Sequence, residues 1–233
     1  MFPLKDDQPR YSTPIVNGFL IAINLLIFFF EATLTPRGLS ALVQQLGVIP
    51  SHVISALNGS AHYSLAAVAL PFLTSMFLHG SWMHVIGNMW FLYIFGDNVE
   101  DYLGHFQYLV FYIAAGLAAM VTQVALEPHS SAATLGASGA IAGVMGAYIV
   151  LYPRARVLTW FPIFFIFYLP AWLWLGGWFA LQFFSGAATS LTYEGRNDAG
   201  GVAFWAHVGG FLFGALLIRM LPQRSRRSPY AAY

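Results

Sequence analysis

A helix that crosses the hydrocarbon layer of a bilayer needs about 20 mostly apolar residues, and this sequence supplies such stretches repeatedly. Residues 14–34 form the first, with Pro14 acceptable in an opening turn. The second runs from 82 to 95 or a little beyond, led in by the apolar run 72–78, and the third covers 105–126. The fourth, 138–152, is short for a full crossing, so its start belongs in a protein-lined depression rather than in lipid. The fifth lies within 161–184, interrupted by Pro162, Pro170 and the pair Gly176-Gly177, and the sixth is 202–221. Only 8% of the 233 residues are charged, against about 25% in soluble domains. An all-α integral membrane protein, a bundle of six transmembrane helices, is the expected fold.

Six spans put both termini on one side of the membrane. Lys5, Arg10, Arg154, Arg156, Arg219, Arg224, Arg226 and Arg227 share that side, while only Arg37 and Arg196 face the other. By the positive-inside bias the termini are cytoplasmic. The acidic pair Asp6-Asp7 argues against a mitochondrial presequence, and no small-residue cleavage site follows an apolar run near the start. The expected home is therefore a prokaryotic plasma membrane. The chain divides into a short N-terminus (1–13), a membrane domain (14–221) and a basic tail (222–233). Residues 35–71 form a long external connection with short interfacial helices at 39–46 and 52–57. A net charge of +1 gives no basis for a nucleic-acid partner, and the absence of Cys removes disulfides and thiolate chemistry.

Chemistry centres on Thr134-Leu135-Gly136-Ala137-Ser138-Gly139-Ala140-Ile141-Ala142-Gly143-Val144-Met145-Gly146, where one hydroxyl stands among small and apolar residues. Serine in a membrane helix often serves only as packing glue, but glycines on both sides let other backbones come close. Of seven His, only His84 and His207 fall clearly inside apolar spans, where an ionisable group is costly and usually functional. Positions 207, 210 and 214 share one helical face, as do Gly139, Gly143 and Gly146, so two small-residue faces can meet. That packing would bring His207 to Ser138, a base to a nucleophile. The plainer alternative is a His bonded to a backbone carbonyl. His84 and Asn88, spaced i, i+4, share a face near the outer end of the second span. They form either an interhelical hydrogen-bonding pair or donors for an oxyanion, together with the N–H of Ser138 at its helix N-terminus. No buried carboxylate is apparent to orient His207, so a dyad is expected. His79 and His84 lie about 140° apart around a helix, and there is no HExxH. Neither a metal nor another cofactor is expected, and His79 reads as a hydrogen bonder that orders a loop.

Three segments together resemble the rhomboid intramembrane serine proteases. They are Leu78-His79-Gly80-Ser81-Trp82-Met83-His84-Val85-Ile86-Gly87-Asn88, Gly136-Ala137-Ser138-Gly139 and Ala206-His207-Val208-Gly209-Gly210, in that family's order and spacing. The resemblance implies a six-helix bundle that hydrolyses a peptide bond in or near the transmembrane segment of a membrane-protein substrate. It maps the nucleophile onto Ser138, the base onto His207 and oxyanion stabilisation onto His84, Asn88 and the Ser138 N–H. Asp97, Glu100 and Gly104 are similar to the family's junction between second and third helices, with helix capping as their expected role. Two departures stand out. Ala142 occupies the place where some bacterial members carry a Tyr under the catalytic His, and the Trp-Arg pair some members have in the first external loop is missing. The aromatic fifth segment reads as an interfacial belt and, by resemblance, a side gate. Two other classes remain: an inactive rhomboid-like protein that binds membrane clients, and a small transporter, for which neither repeat symmetry nor buried carboxylates are found.

Overall fold

A computed structural model describes residues 2–59, 63–161, 165–192 and 202–224. Pro162, the segment 193–201 with Arg196, and the end of the basic tail from 225 onward lie outside the described residues. Among those described are six helices of 14 to 22 residues: α1 (Ile15–Ala32), α5 (Trp82–Leu103), α6 (His105–Leu126), α7 (Ser138–Leu151), α8 (Ala171–Thr192) and α9 (Phe204–Leu217). They form a helical membrane bundle. By length and apolarity α1 and α6 can each cross a bilayer, and a third crossing is possible through α5 joined to the helix before it at a bend of 76°. At 1.5 Å per residue, α7 and α9 reach only about 21 Å, short of a hydrocarbon layer about 30 Å thick.

Helix α7 is the centre. Every residue from Gly139 to Tyr148 is buried. Because lipid tails are as apolar as leucine side chains, such a helix is held by close packing rather than by escape from water, and its small residues provide that packing. A Cβ on Gly210 would lie 2.1 Å from the carbonyl oxygen of Gly139, one on Gly214 2.0 Å from that of Gly143, and one on Gly146 2.0 Å from that of Phe211. The two helices thus touch backbone to backbone, turn after turn, along the faces read from the sequence. On the α6 side, a Cβ on Gly143 would come within 2.4 Å of the Ala115 methyl.

The connection between α1 and α5 is largely helical: α2 (Pro36–Leu46), α3 (Pro50–Leu57) and α4 (Leu65–Thr74). The two short helices expected there are present, and α4 adds a third. Thr35 and Ser64 cap α2 and α4 with their hydroxyl oxygens. This layer is tied to the chain ahead of α7 by paired backbone bonds between Val48 and Thr134. Glu100 performs the capping expected of it, but on a different helix: its buried carboxylate accepts the N–H groups of Val16 and Asn17 at 3.0 and 2.7 Å, fixing the start of α1. Gly104, at φ +80°, closes α5 and lets α6 begin at once.

The fifth span is corrected. The described residues 156–161 and 165–170 do not form a helix: β2 (Arg156–Phe161) and β3 (Phe165–Pro170) pair antiparallel, and α8 starts only at Ala171. The run Phe165-Ile166-Phe167-Tyr168 is aromatic and β-branched, which suits a strand, and Pro170, just before α8, would cost a helix interior a backbone hydrogen bond. Helix α8 then extends past the expected end at 184. The N-terminal segment is also structured. Its strand β1 (Phe2–Asp6) pairs antiparallel with β2, giving a three-stranded sheet in the order β1-β2-β3.

Candidate active site

Ser138 opens α7 half-buried. The chain reaches it through Gly136, whose φ of +116° only glycine adopts readily. The N–H of Gly136 donates to the carbonyl of Ser75 at 2.8 Å. A Cβ on Gly136 would lie 2.7 Å from Cε1 and Nε2 of His84, and 3.6 Å from Nδ2 of Asn88. The glycine is therefore required twice, for its conformation and for the space His84 takes. Residue 137, the N-cap, is alanine and offers no side-chain acceptor, so the first N–H groups of α7 are not covered by a cap.

His84 and Asn88 project from the first two turns of α5, a helix begun by Ser81, whose hydroxyl accepts the N–H of His84 at 3.2 Å. Asn88 is buried, and its Nδ2 has no hydrogen-bond partner among the described residues. His79 is also buried, and its ring packs edge-on against that of His84 at 5.1 Å. The expected hydrogen bond comes from its backbone, not its ring. The His79 N–H donates to the Glu31 carboxylate at 3.1 Å, while both ring nitrogens lack partners among the described residues.

His207 lies in the first turn of α9, buried, one turn before Gly210. Because Gly210 rests on the carbonyl of Gly139, the beginnings of α7 and α9 meet, and Ser138 and His207 flank that contact. The start of α9 is also held from α6, where Gln123 Oε1 accepts the N–H of Ala206 at 3.0 Å and Gln123 Nε2 donates to Glu127 at 2.8 Å.

Of the two residues that hold His207, Gln182 was not singled out from the sequence, and Trp178 was read only as part of the aromatic belt. Gln182 of α8, itself buried, places Oε1 2.8 Å from His207 Nδ1. Trp178, one turn earlier, lies against the imidazole with ring centroids 5.7 Å apart and planes at 35°. With Ala142 at the position of the stacking tyrosine, the aromatic support comes from a neighbouring helix instead. The available signal was a lone amide in an aromatic span, four residues after a tryptophan. Among the described residues no group of three or more His, Cys, Asp or Glu is arranged to hold a metal ion.

Residues 67–224 match the model of the Rhomboid domain, a stretch that contains His84, Asn88, Ser138, Gln182 and His207. The chain belongs to the rhomboid family. Among similar rhomboid proteins are Rhomboid-like protein 11, chloroplastic, of Arabidopsis thaliana (30% identical, covering 63% of this chain and 46% of that protein) and the human Presenilin-associated rhomboid-like protein, mitochondrial (31%, 62% and 36%). Rhomboid protein 1, mitochondrial, of Saccharomyces cerevisiae is 27% identical over 63% of this chain and 40% of its own length. This rhomboid chain spans less than half the length of these relatives. Their names also overturn the expected localisation: they are mitochondrial and chloroplastic proteins, and a prokaryotic plasma membrane with cytoplasmic termini does not stand. The bias of basic residues distinguishes two sides of a bilayer. It carries no information about which bilayer.

Proposed function

We propose that this rhomboid chain is an intramembrane serine protease that cleaves a peptide bond in or near the transmembrane segment of a membrane-protein substrate. The observation that carries the reading is the unspent donor of Asn88, buried beside Gly136 and His84 at the entry to Ser138. A buried donor without a partner costs about 1–3 kcal/mol, and a developing oxyanion is the partner that would satisfy it during the reaction.

In this reading Ser138 Oγ attacks the scissile carbonyl and its proton passes to His207 Nε2. The C–O bond to Ser138 forms as negative charge moves onto the carbonyl oxygen. Asn88, His84 and the Ser138 N–H would donate to that oxygen, a term worth about 10²–10³ in rate for a single donor. The tetrahedral intermediate collapses to an acyl-enzyme when His207 returns the proton to the leaving amine. Water, deprotonated by His207, then attacks the acyl carbon, and the ester bond to Ser138 breaks as His207 returns the proton to Ser138 Oγ. The substrate helix must unwind locally, because a helical carbonyl is engaged in its own ladder, and small residues at the cleaved bond suit a site walled by helices.

The test is cleavage of a model transmembrane substrate in liposomes by wild type, Ser138→Ala and His207→Ala, with a metal chelator present. Cleavage by the wild type alone is expected. Cleavage that survives Ser138→Ala refutes the nucleophile. A wild type that neither cleaves nor is labelled at Ser138 by a serine-directed phosphonate points to a client-binding protein instead.

A further inference from the structure

We propose that Gln182 is the positioning residue for His207, its amide oxygen holding the imidazole in the Nδ1–H tautomer so that Nε2 is the free acceptor. The inference deepens the protease reading and rests on it for the role of His207 as base. A neutral imidazole has one donor and one acceptor nitrogen, and an amide oxygen can only accept. With Oε1 2.8 Å from Nδ1, the proton must sit on Nδ1. Nε2 then carries the lone pair, as a base facing a serine requires.

Both groups are buried, at 8% exposure each, so water is not a ready substitute for either. They are 25 residues apart and come from different helices, which makes the contact tertiary rather than a local turn. Trp178 limits rotation of the same ring from the same helix. An amide does this without charge. A carboxylate there would stabilise an imidazolium more strongly, but would put an ionised group at a buried position, where charge is costly.

The experiment uses the full chain, ¹⁵N-labelled at histidine, in lipid nanodiscs, with the His207 signals assigned by their loss in His207→Gln. Wild type is expected to show a protonated Nδ1 and an unprotonated Nε2. In Gln182→Met, which keeps the volume and removes the acceptor, the two tautomers mix. Turnover of a transmembrane substrate by this variant falls about 10- to 100-fold, the scale on which partners that orient histidines act, with KM held. Gln182→Glu restores an acceptor and returns the proton to Nδ1, but its charge favours the imidazolium, so turnover recovers only in part. An Nε2–H tautomer in wild type, or a Gln182→Met spectrum that matches wild type, overturns the proposal. The spectrum is read without substrate, so a wild type that cleaves nothing fails the protease reading while the role of Gln182 is still decided. Should Gln182→Met not fold, the wild-type tautomer decides it.

Discussion

A buried amide with an idle donor has opposite effects on stability and activity, and Asn88 makes that conflict measurable. Asn88→Ala should lower kcat by about 10²–10³, while thermal unfolding in detergent stays level or rises, because the orphaned donor is gone. A parallel loss of both would return Asn88 to a structural role. Asp6 offers a second residue-scale test. Burial raises its carboxyl from the usual 3.8 to about 6, and the hydroxyl of Tyr148 donates to it. The folded state thus holds this proton more tightly than the unfolded chain does. The stability contributed is full below 3.8 and is lost as pH rises through about 6. Wild type should therefore lose melting temperature relative to Asp6→Asn across that window, and equal slopes would rule out the linkage. At this scale the sequence shows Ser138, His84, Asn88 and His207, because a polar group in an apolar run is costly enough to stand out. Gln182 stayed hidden among aromatic neighbours, and Trp178 read only as one ring of a belt. Their contact with His207 depends on the rotation of α8, which a pattern of apolar residues does not specify.

Helices were legible wherever an apolar run was long enough to leave the backbone no other way to satisfy itself in lipid. Strands β2 and β3 escaped that logic because short aromatic runs serve strand and helix alike, and because β1, the partner of β2, lies about 150 residues away in a segment that reads as a polar terminus. The α7–α9 contact was legible from glycine spacing alone, and it yields a paired prediction. Gly214→Ala puts a methyl 2.0 Å from a backbone carbonyl that cannot move aside, whereas Gly18→Ala in α1 meets nothing within 4 Å. The first should destabilise by about 1–3 kcal/mol or more; the second should be neutral or gain up to about 1 kcal/mol. Similar unfolding temperatures for the two variants would mean that α7 and α9 are not in backbone contact.

For the whole molecule, the family and the bundle can be read from the sequence, and the membrane it inhabits cannot. Charge asymmetry orients a protein in any bilayer, so the mitochondrial and chloroplastic relatives correct an inference the residues never carried. The chain has no cysteine, which makes an engineered cross-link unambiguous. A Cβ on Gly186 would lie 3.2 Å from that of Phe204, close to disulfide geometry, so Gly186→Cys with Phe204→Cys ties the far part of α8 to the start of α9. If substrates enter by displacing α8, oxidation should suppress cleavage of a transmembrane substrate about tenfold or more, with labelling of Ser138 by a small phosphonate unchanged; undiminished cleavage would exclude that route. The near end of α8 is pinned already, by the N–H of Ala171 on the carbonyl of Ala155 at 2.7 Å and that of Trp172 on Pro153 at 3.0 Å. Gln182 sits eleven residues along, about 16 Å from this pivot. A tilt of about 10° carries it roughly 3 Å, comparable with the whole of its bond to His207. If α8 is the door for substrate and His207 the base, the geometry is that of a safety interlock: swinging the door open withdraws the pin that arms the base, and the base is armed again only when the door has closed.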